Sequence, residues 1–78
     1  MPKSLRSRRH RALLSVLIET RKAAGLTQRD LADRLRTSQT FVARTENGER
    51  RLDVVEFIAI ARALGVDAPA LLARVTER

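Results

Sequence analysis

The sequence predicts an all-α domain of five short helices, and three observations carry that reading. Every long segment spaces its apolar residues at i, i+3 and i+4, and no segment sustains an alternating pattern. Residues that cap helix N-termini well, Thr27, Ser38, Asp53 and Asp67, stand just before the apolar stripes. Gly25, Gly48 and Gly65 stand where three of those stripes should stop.

Taken in order, Leu13, Leu14, Leu17 and Ile18 share one stripe and place a first helix over about residues 9–24. Thr27 caps the second, residues 28–35, whose inner face is Leu31, Ala32 and Leu35. Ser38 caps the third, residues 39–47, with Val42 turned inward. Asp53 opens a fourth, striped by Phe57, Ile58, Ala61 and Leu64. Asp67 opens a fifth, with Pro69 tolerated in its first turn and Leu71, Leu72 and Val75 behind it.

With 78 residues the chain is one domain, here residues 10–78, preceded by a basic arm, residues 1–9. At this size only about 60% of the unfolded surface is buried, so stability is marginal without help. No cysteine is present, so neither a disulfide nor a thiolate metal site supplies it. Dimerisation is the remaining device. Net charge is +7. Lys3, Arg6, Arg8, Arg9 and Arg11 fall in the first eleven residues, where there is no acid. That balance suggests a polyanion, with nucleic acid ahead of a membrane surface. The arm either tracks phosphates beside a binding site or is a solvated tail. The apolar runs near the N-terminus are too short for a secretory signal, and none approaches a membrane span, so the expectation is a cytoplasmic protein.

The second and third stripes are separated by a turn of about three residues, so their helices must cross at a large angle, as in a helix-turn-helix. Ala32 lets them approach, and the outer face of the third helix is left projecting. That face carries Gln39, Thr40 and Arg44. An α-helix fits the DNA major groove, and each of these side chains matches a base edge there. Gln39 has the donor and acceptor that pair with adenine, Thr40 offers a methyl to thymine, and Arg44 can fork onto guanine. Phosphate contacts would come from Thr27, Gln28 and Ser38 at the helix starts, and from Asn47, Arg50 and Arg51 beyond the third helix. Singly, each is as well explained by capping, helix propensity or surface charge; together, in a basic chain, they read as one DNA-facing surface.

The stretch "GLTQRDLADRLRTSQTFVARTENGERR" followed by "FIAIARALGV" resembles the Cro/cI-type (XRE-like) helix-turn-helix domains over about residues 13–75. The resemblance implies a lambda-repressor-like fold that binds double-stranded DNA as a homodimer at a (pseudo)palindromic operator. It implies base contacts by Gln39, Thr40 and Arg44, phosphate contacts by Gln28 and Asn47, and a structural ion pair between Arg21 and Glu46. Three departures stand out. Arg36 occupies the turn position usually held by Gly and would need a positive φ at some steric cost. Thr37 and Thr45 replace residues that are usually aliphatic, which should weaken the core near Thr45. Phe41 is expected to be exposed, free for a deoxyribose, a thymine methyl or the second helix.

A single reading helix covers too few base pairs to be selective, so two-fold pairing is expected, with Phe57, Leu71, Leu72 and Val75 as its interface. The chain has no room for a ligand-sensing domain and no small-molecule ligand or cofactor is expected. That leaves a stand-alone regulator: a Cro-like protein, a small repressor, an antitoxin-type autoregulator or a restriction–modification controller protein. The alternative is a protein-interaction module that keeps the fold without reading DNA. An enzyme is rejected: His10 is the one histidine, and no carboxylate pair or Gly-rich phosphate loop accompanies it.

Overall fold

The computed structural model describes residues 7–78 and contains five helices and no strand among them. They are α1 (Arg8–Ala23), α2 (Gln28–Leu35), α3 (Gln39–Glu46), α4 (Val54–Ala63) and α5 (Ala68–Thr76). Every start is capped by a side chain that accepts a backbone N–H three residues on: Ser7, Thr27, Ser38, Asp53 and Asp67. Thr27 with Asp30 and Asp53 with Glu56 complete reciprocal capping boxes, each satisfying two donors that the helix cannot. Pro69 sits in the first turn of α5, where its missing N–H costs nothing. Ser7 caps α1, and Arg8 and Arg9 belong to that helix; the rest of the expected arm, residues 1–6, lies outside the described residues.

The first four helices all end in the same way. A residue in the left-handed conformation donates its N–H three residues back, and its successor donates five back. In α1 these bonds are Gly25 to the Lys22 carbonyl at 3.0 Å and Leu26 to the Arg21 carbonyl at 3.1 Å. Gly48 and Gly65 close α3 and α4 identically. In α2 the position is held by Arg36, at φ 57° and ψ 45°, the one non-glycine residue with positive φ among those described. The steric cost expected of an arginine in this turn is therefore present, and the two capping bonds, from Arg36 and Thr37 to Asp33 and Ala32, still form.

The core runs through all five helices: Val16 and Leu17 from α1, Leu31 and Ala32 from α2, Val42 from α3, Phe57, Ile60 and Ala61 from α4, then Leu64, and Leu71 and Val75 from α5. Ala32 is small and buried at the α2–α3 crossing, so the two helices approach closely. α1 rests on α5, and α2 on α4, leaving α3 held chiefly by α1 and α2 with its outer face to solvent. The N-terminus of α1 is tied to the C-terminus of α5 by Arg9, whose Nη1 donates to the carbonyl of Thr76 at 3.0 Å.

Two sequence expectations need correction. Phe57, Leu71 and Val75 were expected at a dimer interface, yet they are 9%, 2% and 4% exposed and belong to the protomer's own core. Of the four candidates only Leu72 is free to meet a partner, at 49% exposed; Val54, Val55 and Ile58 on α4 are the other exposed large apolar residues among those described. Phe41 is half-buried against the core rather than exposed. Thr45 is buried, and its hydroxyl oxygen accepts from Arg50, so the polar atom is not left unpaired there.

Replacing Arg36 with Gly should stabilise the domain by about 0.5–1 kcal/mol, the relief of left-handed strain less the added freedom of the unfolded chain. Thermal unfolding followed by circular dichroism checks this; an unchanged or lower midpoint would show that the turn is not strained.

Candidate nucleic-acid interface

The surface is built outward from one buried carboxylate. Glu46, the last residue of α3, receives Arg21 Nε on Oε2 at 2.7 Å and Arg21 Nη2 on Oε1 at 3.0 Å. Both side chains are more than nine-tenths buried. Gln28, the first residue of α2, donates its side-chain Nε2 to Glu46 Oε1 at 2.9 Å. Arg21 Nη1 then reaches the carbonyl of Leu26 at 2.8 Å and holds the loop between α1 and α2. Three helices are thereby pinned through a single acid.

This cluster sets the pose of α3. Val42 and Thr45 face inward, Thr40 and Arg44 are exposed on the other side, and Gln39, the first residue of the helix, is exposed at its start. Exposure of three hydrogen-bonding side chains on a projecting helix suits reading of base edges. Thr27, Ser38, Asn47 and Arg51 are exposed around it, at the start of α2, at the start of α3 and beyond its end. The Thr27 and Ser38 oxygens accept capping N–H groups at 3.0 and 3.1 Å, and each hydroxyl keeps its own hydrogen to donate. Gln28 is half-buried; with one amide hydrogen engaged by Glu46, it retains a second and the free N–H groups of the first turn of α2.

Arg50 does not fit the phosphate role expected of it. Its Nη1 and Nη2 donate to the two carboxylate oxygens of Glu56 at 3.2 and 2.9 Å, and its guanidinium lies 4.4 Å from the centroid of the Phe41 ring. A forked, stacked arginine is committed inside the protein. The hydrogen bonds from Arg50, and then the Asp53 backbone, hold the Glu56 carboxyl below the ordinary glutamate range. Arg51, the neighbouring arginine, has no acidic partner among the described residues.

Arg44 has an acidic neighbour in Glu49, whose Oε1 lies 3.7 Å from Arg44 Nε. Both side chains are more than half exposed, so the pair is weak and easily exchanged for a base. The signal for Arg50 was present but not used: Glu56 is the third residue after Asp53, the spacing of a capping box, which already marked it as a fixed acceptor. His10 lies on α1, half-buried beside an apolar groove of about 580 Å³ walled by Leu13, Leu52, Val54, Phe57, Leu72 and Val75. Burial, and then the charge of Arg51, lower its pKa. Among the described residues there is no cluster of side chains that could hold a metal, and no helix long and apolar enough to cross a membrane.

A helix-turn-helix family model matches residues 17–71, most of the chain. The chain belongs to that family. An XRE-family-like protein from Pseudomonas syringae pv. tomato str. DC3000 is 52% identical, with 88% of this chain and 84% of that one covered at a TM-score of 0.84. Two more distant structures share the fold. The clp gene regulator ClgR from C. glutamicum is 24% identical over 91% of this chain and 92% of its own, at a TM-score of 0.81. The wild-type restriction–modification controller protein C.Esp1396I is 22% identical over 91% and 93%, at 0.84. Among curated proteins the comparison finds no match. The XRE-type helix-turn-helix family is one of DNA-binding transcription regulators, generally without catalytic activity.

Glu46→Ala should cost about 3–5 kcal/mol, because Arg21 is left charged and buried with no counter-ion. Glu46→Gln keeps an acceptor for Gln28 and should fall between that variant and the parent. Chemical denaturation measures both; equal stability of all three proteins would remove the cluster from its central place.

Proposed function

We propose that this chain is a sequence-specific, DNA-binding transcriptional regulator that acts in the cytoplasm as a homodimer on a (pseudo)palindromic operator. The observation that carries the reading is the exposure of Gln39, Thr40 and Arg44 together on α3. In that reading α3 enters the major groove, Gln39 pairs with adenine, Thr40 packs on a thymine methyl and Arg44 leaves Glu49 for a guanine. Thr27, Gln28, Ser38, Asn47 and Arg51 meet phosphate oxygens and set the register. Arg50 drops out of the phosphate set.

The partner protomer is proposed to cover Leu72 and Val54, which line the groove between α1, α4 and α5, together with Val55 and Ile58, which are also exposed on α4. Two reading helices related by a two-fold axis then address half-sites about 34 Å apart. Leu72→Asp should shift the mass in sedimentation at micromolar concentration from dimer to monomer while leaving helicity intact. A parent protein that already sediments as a monomer would contradict this interface.

Selection from a random duplex pool at near-physiological salt should enrich a palindrome with half-sites one turn apart. Arg44→Ala should then relax discrimination at one base pair per half-site by about 1–3 kcal/mol without unfolding the protein. A pool that stays random would instead favour an interaction module, and the regulator reading would be wrong.

A further inference from the structure

α3 is clamped at its C-terminal end by Glu46, but its N-terminal half needs a separate restraint. That half carries Gln39 and Thr40. α3 packs chiefly on α2 and α1, and its backbone makes little direct approach to α4. The space between α3 and α4 is bridged by side chains. Phe41 and Thr45 lie one turn apart on α3, and Arg50 reaches both: its guanidinium covers the Phe41 ring at 4.4 Å, and its Nη1 donates to Thr45 Oγ1 at 3.4 Å. The same guanidinium forks onto Glu56. Glu56 is itself fixed, since its Oε1 accepts the Asp53 N–H at 3.0 Å while Asp53 Oδ1 accepts the Glu56 N–H at 2.7 Å.

We infer that Arg50 is a positioning residue for DNA reading: by stacking on Phe41 and forking onto Glu56 it fixes the angle of α3 against α4. The inference rests on the DNA-binding reading for its consequence, but not for its geometry. Bridging needs a planar group that offers a face to the ring and two parallel N–H donors to the carboxylate, which arginine has and lysine lacks. The bridge has a second consequence. α4 also carries the exposed Val54, Val55 and Ile58, so whatever covers that face is connected to the reading helix through Glu56 and Arg50.

The test uses the full chain, with Arg50→Ala, Arg50→Lys, Glu56→Gln and the Ala/Gln double variant, each shown to be folded by circular dichroism. Glu56→Gln keeps an amide oxygen for the Asp53 cap while losing the charge. The operator is the sequence that the parent protein selects. The ratio of operator to non-operator affinity should fall roughly tenfold in Arg50→Ala, the size of one weakened base contact. Glu56→Gln should lose a similar amount, the double variant no more than either, and lysine should fail to rescue. The salt dependence of binding should keep its slope, because no phosphate contact is lost. A shallower slope restored by lysine would make Arg50 a phosphate ligand and overturn the inference, as would additive losses in the double variant. Should the parent select no sequence, the regulator reading fails by itself and the backbone amide shifts of the free protein decide. Shifts reaching residues 39–42 in Arg50→Ala and Glu56→Gln uphold the positioning role, and shifts confined to residues 49–57 overturn it.

Discussion

The orientation of the whole DNA-facing surface depends on one desolvated carboxylate. Glu46 has lost almost all contact with water, and a buried charge is tolerable only when paired and fully hydrogen-bonded. Arg21 supplies the charge and two donors, and Gln28 supplies a third. These come from α1 and α2, so the acid cannot be satisfied unless both helices stand at one distance and angle from α3. Apolar burial would accept many arrangements of three short helices; this requirement accepts few. Such a pair adds little net stability compared with a well-packed apolar substitute. Its value lies in geometry.

α3 is only eight residues long and would not persist as an isolated helix. Its integrity comes from neighbours at both ends. The Glu46 cluster holds the C-terminal turn, and Ser38 with the tight turn holds the start. Val42 and Thr45 anchor the middle in the core. The Arg50–Phe41 stack lies on the flank toward α4, where apolar packing is thinner. One face of the helix is therefore used entirely for anchorage, which frees the opposite face for exposed hydrogen-bonding side chains. Charge follows the same division. Ion pairs such as Arg78 with Glu19 sit on exposed α1 and C-terminal surface, where they contribute little. Around α3 the exposed cations outnumber the acids.

Much of the fold was legible in the chain because helix ends are local. A capping side chain bonds to an N–H three residues away, and a glycine closes a helix within its own last turn, so the capped starts of α2, α3, α4 and α5 and the glycine stops of α1, α3 and α4 could be read to about one residue. The left-handed Arg36 was legible through the family resemblance, which puts glycine at that turn position. The outer face of α3 was legible because a period of 3.6 opposes Val42 to Thr40 and Arg44 once a core is assumed, while Gln39 is exposed because it stands at the helix start.

What the sequence could not decide was which apolar and charged residues the other helices would consume. Phe57, Leu71 and Val75 read as surplus apolar residues, and the tertiary structure used all three in the core while leaving Val54, Val55 and Leu72 exposed. Arg50 and Arg51 are adjacent and chemically identical in the sequence. Only the packing of the helices distinguishes them, because it brings Glu56 and Phe41 to one and leaves the other facing solvent. By itself, then, the sequence determined the helices, their caps and the pattern of the reading face, all set by hydrogen bonds and periodicity within a few residues. The tertiary structure alone decided which side chains were left over for a partner, because burial and pairing between distant segments depend on how the helices pack.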